Sequence, residues 1–100
     1  MKIKVVTICG GLKFQKEMQS ISRDLTLNNG WCVIQCVYEI DKTKITQLEI
    51  DNMVKAHYKK IEISDAIYVV NINGYIGNST KNEIEYAKSL NKEIIYHEER

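Results

Sequence analysis

The sequence predicts an α/β domain: a three-layer, flavodoxin-like (Rossmann-like) parallel sheet of four strands in the order 2-1-3-4, with helices on both faces. Three observations predict it. Apolar, strand-like runs alternate with stretches of helical period, the 100 residues hold no proline or low-complexity linker, and turn-forming residues punctuate the boundaries. A chain of this length makes one domain, 1–100, around a single core.

Residues 3–9, IKVVTIC, are β-branched on both faces, the pattern of a strand covered on both sides, and Gly10 and Gly11 end it. Phe14, Met18, Ile21 and Leu25 then fall on one helical stripe that stops near Asn28-Asn29-Gly30. Residues 31–38, WCVIQCVY, read as the second strand, and EIDKTK as a loop. A second helix runs from near Thr46 to about Glu62 with Ile50, Met53, His57 and Ile61 along one face. Ser64-Asp65 turns the chain into the third strand, AIYVVNI at 66–72, with Asp65 as a turn or cap residue. A polar loop follows, then a third helix to about Leu90 with Thr80, Ile84, Ala87 and Leu90 inward, then a fourth strand, EIIYH, at 93–97. Such alternation joins parallel strands through right-handed crossovers.

Fourteen Lys and Arg stand against thirteen Asp and Glu, a net charge of +1 that gives no reason to expect a nucleic acid polymer or a membrane as partner. Cys9, Cys32 and Cys36 are odd in number, lie in apolar runs and form no C-x-x-C pair, so buried free thiols of a reducing cytoplasm are expected. The opening MKIKVVTICGG is interrupted too soon for a signal peptide, and no apolar run reaches membrane-spanning length. His57 and His97 are isolated in sequence, and Cys32 and Cys36 lack zinc-ligand spacing, so neither metal nor cofactor is expected.

In an open α/β sheet the ligand crevice lies beyond the carboxyl ends of the strands where strand order reverses, here between strands 1 and 3. The loops leaving those ends hold four of the five glycines. Gly10-Gly11 is either a tight turn or a set of exposed N–H groups for an anion, with Lys13 as charge partner. Glu83, placed in the first turn of the third helix, either serves capping or faces the crevice; Ser79 with Asn82 and Thr80 with Glu83 have capping-box spacing. His57 is either a satisfied histidine on an apolar stripe or a proton-transfer group. Glu85 points to the opposite side, near Lys81 and Lys88.

The opening VTICGG, the SDAIYVV strand and the T-x-x-E-I-x-Y-A helix start resemble the nucleoside 2-deoxyribosyltransferase-like superfamily, which includes deoxynucleoside 5′-monophosphate N-glycosidases. The resemblance spans nearly the whole chain. It implies a homo-oligomer, as a dimer, that cleaves or exchanges the bond between a deoxyribose and its base, with Glu83 as nucleophile and a covalent glycosyl-enzyme. Gly10, Gly11, Lys13 and Ser79 would contact the phosphate or sugar of a small nucleoside or nucleotide, and Gly77 and Thr80 complete that lining. Asn71 and Asn73 would hold sugar hydroxyls and Tyr75 would stack on the base, against ordinary turn chemistry for Asn73-Gly74.

The chain also departs from that pattern. The acidic residue that the family has eight positions before Asp65 is His57, a general acid/base or orienting group here. Phe14 and Gln15 stand where further glycines are expected, Gly77 where Asp or Ser is usual, and Ser79 where Gly is. A nucleotide-binding module without turnover is therefore the alternative. A phospho-acceptor or flavin protein is disfavoured, because strand 1 ends in Cys9-Gly10 without an acidic cluster and no Ser/Thr-rich phosphate loop follows.

Overall fold

Val5–Cys9 forms the central strand β1, and its five residues are covered almost completely because helices pack on both of its faces. The computed structural model describes residues 2–99. After β1 come a short 3-10 turn at Leu12–Phe14, α1 (Gln15–Asn29), β2 (Cys32–Ile34), α2 (Gln47–Ile63) and β3 (Ala66–Val69). A second 3-10 turn at Ile72–Gly74, α3 (Asn78–Ser89) and β4 (Glu93–Tyr96) complete the order. All pairings are parallel and the sheet runs β2-β1-β3-β4, as the alternation requires.

Side-chain alternation along β1 divides the core. Ile8 meets Met18 and Val70 under α1, whereas Cys9 joins Ile61, Ile67, Val69, Ile84 and Ala87 under α2 and α3. The starts of β1 and β3 are stitched together by Asp65: its N–H donates to the Val5 carbonyl and its carboxylate accepts from the Val5 N–H, both at 2.8 Å. Asp65 is structural, as expected. Among the described residues no helix is long and apolar enough to cross a membrane.

Several boundaries differ from expectation. β2 keeps only three residues of ladder; Cys36 and Tyr38 leave it yet still pack toward α1. β3 ends at Val69, and the Val70 N–H makes a last bond of 2.8 Å to the Cys9 carbonyl before the chain turns. No capping box forms at Ser79 or Thr80, because α3 starts at Asn78 with extended Gly77 as its side-chain-free N-cap. The box lies instead at Thr46 and Glu49, whose reciprocal bonds open α2 and hold the Glu49 carboxyl below its usual range. Leu90 is the C-cap of α3 and 38% exposed, past the point where the helix faces the sheet. Of the three thiols Cys9 is buried and Cys36 partly so, but Cys32 is exposed, since it begins an edge strand with a neighbour on one side only.

Candidate active site

Three elements deliver one cluster. β1 ends on Cys9, α2 carries His57 on its sheet-facing side, and α3 carries Glu83 in its second turn, one turn later than its sequence position suggested. Glu83 Oε1 lies 3.4 Å from His57 Nε2, and that same nitrogen lies 3.4 Å from Cys9 Sγ. The His57 and Glu83 side chains are only 11% and 17% exposed, and Cys9 is fully buried. Burial, reinforced by the Glu83 carboxylate and by Cys36, pushes the Cys9 thiol well above its ordinary range, so it is a neutral S–H at pH 7.

Above the cluster opens a cavity of about 470 Å³, the size of a small-molecule site, and His57 and Glu83 line it. Glu83 is the sole carboxylate among its described lining residues, which include three lysines, Lys13, Lys42 and Lys60, the last donating to the Gln35 carbonyl at 2.7 Å. One wall is the start of α3, Gly77 to Thr80; with no side chain capping that terminus, its first N–H groups present partial positive charge. Another wall is apolar, with Leu12, Val37, Met53 and Val54.

Gly10 sits at close quarters. A Cβ there would sit 3.2 Å from Met18 Sδ and 3.3 Å from Val70 Cβ, so glycine lets the end of β1 lie flat against α1. Tyr75 stands at the rim with Phe14 edge-on at 5.9 Å and the Lys13 ammonium 3.5 Å from its ring centre. A Cβ on Gly77 would lie 3.3 Å from the Tyr75 hydroxyl, so the phenol occupies the space beside the side-chain-free position.

Nine of the residues singled out from sequence thus line one cavity: Gly10, Gly11, Lys13, His57, Tyr75, Gly77, Ser79, Thr80 and Glu83. Asn71 and Asn73 do not. Buried Asn71 donates through Nδ2 to the Glu98 carbonyl at 3.0 Å and accepts the Glu98 N–H at 2.8 Å, which consumes its amide. Asn73, at a φ of 56°, donates its N–H to the Glu98 carboxylate at 3.1 Å. Both shape the turn after β3 rather than a ligand contact. Sequence reasoning also missed Cys9, Lys42 and Lys60, and it treated His57 as isolated; the position of Cys9, directly before the glycines at the carboxyl end of β1, was the available signal.

Fold and site together define a flavodoxin-like α/β domain with a carboxylate, an imidazole and a thiol gathered at its topological switch point. No family model, curated protein or solved structure matches the chain.

Proposed function

We propose that the protein is an N-glycosidase or deoxyribosyltransferase-like enzyme that cleaves the sugar–base bond of a nucleoside or its 5′-monophosphate. The observation that carries the reading is the Glu83–His57 pair, 3.4 Å apart on the floor of a small-molecule cavity in which Glu83 is the sole carboxylate among the described lining residues. A carboxylate oxygen of Glu83 attacks the anomeric carbon, the bond to the base nitrogen breaks, and its electron pair leaves with the base, which takes up a proton. Water, or the nitrogen of a second base, then displaces the Glu83 ester. His57 orients the carboxylate and serves proton transfer.

The three lysines and the uncapped start of α3 favour a phosphate on the substrate, while Tyr75, Met53 and Val54 offer an apolar seat for the base. The test is release of free base, by chromatography, from a panel of ribo- and deoxyribonucleosides and their 5′-monophosphates. Base release that falls at least about 100-fold in Glu83→Gln supports the reading. The side-chain-free Gly77, beside the Tyr75 phenol, favours one second reading, a module that binds the nucleotide without turnover. Binding without base release at high protein concentration, unweakened by Glu83→Gln, would establish that alternative.

A further inference from the structure

We propose that Cys9, His57 and Glu83 bind one divalent transition-metal ion of the zinc type, with a fourth coordination position open to the cavity. The donor atoms, Sγ, Nε2 and a carboxylate oxygen, come from β1, α2 and α3 and all lie within 4.8 Å of one another. A tetrahedral ion with bonds of about 2.0 Å to nitrogen and oxygen and about 2.3 Å to sulfur requires donor–donor edges of about 3.3–3.5 Å. Two of the three edges here, Sγ to Nε2 and Nε2 to Oε1, already measure 3.4 Å. The third, Sγ to the Glu83 carboxylate, is no longer than 4.8 Å.

Mixed sulfur, nitrogen and oxygen donors suit Zn²⁺ and Co²⁺ and disfavour Mg²⁺ and Ca²⁺, which take oxygen. Charge balance points the same way. The thiolate that binding creates and the Glu83 carboxylate would place two negative charges in a nearly enclosed site, and a doubly charged cation neutralises both. Binding replaces the Cys9 S–H bond by an S–metal bond and releases one proton to solvent, with no change in oxidation state. Three protein ligands with an open position is the arrangement that leaves room for water or a ligand atom, and the open side is the one His57 and Glu83 turn toward the cavity.

Metal binding is separable from base release, because the spectrum of the metal reports it. An ion on Glu83 and His57 occupies the proposed nucleophile and its partner, so Zn²⁺ would stop turnover.

The experiment is titration of the reduced full chain with Co²⁺ alone, followed in the visible and near ultraviolet. Four-coordinate d–d bands and a sulfur-to-cobalt charge-transfer band, both saturating at one equivalent and displaced by one equivalent of Zn²⁺, are expected. Cys9→Ser should abolish the charge-transfer band and weaken binding by more than about 100-fold, beyond what losing an outer-shell partner costs. A double Cys32→Ser, Cys36→Ser variant should keep both bands. Circular dichroism reports whether each variant folds, and Glu83→Gln and His57→Gln, each expected to weaken Co²⁺ at least about tenfold, test the site without touching the thiol. No charge-transfer band in the wild type, a band that survives Cys9→Ser or vanishes in the double variant, or unchanged affinity in Glu83→Gln and His57→Gln, overturns the proposal.

Discussion

Raising the pH from 9 to 11 should destabilise this protein in a way that one thiol makes measurable. The Cys36 Sγ donates to the Ile8 carbonyl at 3.4 Å, a bond that exists only while the sulfur is protonated. Burial, and then the charge of Glu83, push its pKa from the ordinary 9.0 up to about 12. In the unfolded chain the same thiol ionises near its ordinary value, so between those limits the unfolded state loses a proton that the folded state keeps. The stability contributed by Cys36 is thus complete below pH 9 and drains away as the pH climbs toward 12. At about 1.4 kcal/mol per unit, corrected for half-ionisation at the lower end, the loss from pH 9 to 11 is about 2 kcal/mol. That is a large share of the roughly 5–15 kcal/mol by which domains of this size are stable. Urea unfolding at pH 8, 9, 10 and 11, in reductant, should show the wild type losing about 2 kcal/mol more than Cys36→Ser across that interval. Cys9 and the lysines are present in both proteins and cancel in the difference. Parallel stability curves would refute the argument, since they would mean that Cys36 ionises alike in the folded and unfolded states.

Three further outcomes follow from contacts described above. Asn71→Ala removes both bonds to the Glu98 backbone at a site 1% exposed, and should cost about 2–3 kcal/mol in urea unfolding while leaving ligand affinity in the cavity within about twofold. Gly10→Ala brings a methyl group within 3.2 Å of Met18 Sδ and 3.3 Å of Val70 Cβ, and should change stability by no more than about 1 kcal/mol in urea unfolding, because the crowding is offset in part by the chain entropy that the methyl removes from the unfolded state. Thr46→Ala dissolves the capping box of α2 and should cost about 1 kcal/mol, which amide exchange would register as fraying confined to the start of that helix.

The alternation of strands and helices was legible because its signals are local. Phe14, Met18, Ile21 and Leu25 announce α1 by spacing alone, and Gly30, at a φ of 69°, ends it as its position suggests. The crevice was legible too, because strand order follows from alternation and the glycines cluster at the ends of β1 and β3. What stayed hidden depends on partners far away in sequence. Glu98, 27 residues from Asn71, converts an apparent ligand residue into a turn anchor. Likewise Cys9 is 48 residues from His57, and no spacing rule joins a strand-end thiol to a histidine in mid-helix. The start of α3 was misplaced because the sequence offers Ser79 and Thr80 as caps, while Gly77 takes the N-cap position with extended backbone and no side chain.

The switch point also has a kinetic meaning. Val6 pairs with Val33 on one side and with Ala66 on the other, and the β1–β3 closure spans 60 residues where its β1–β2 counterpart spans 27. Closing the longer loop costs roughly 0.7 kcal/mol more in chain entropy. The rewards for that closure, such as the exchange of bonds between Val5 and Asp65, arrive only once α2 is in place. Non-local parallel pairing of this kind is slow, so the step that joins β1 to β3 is expected to set the folding rate. Because the same step brings Cys9 beside His57, the cavity and the folding barrier share one origin: a chain in which β1 and β3 have not joined has no site, and α3 can bring Glu83 to the pair only after they have.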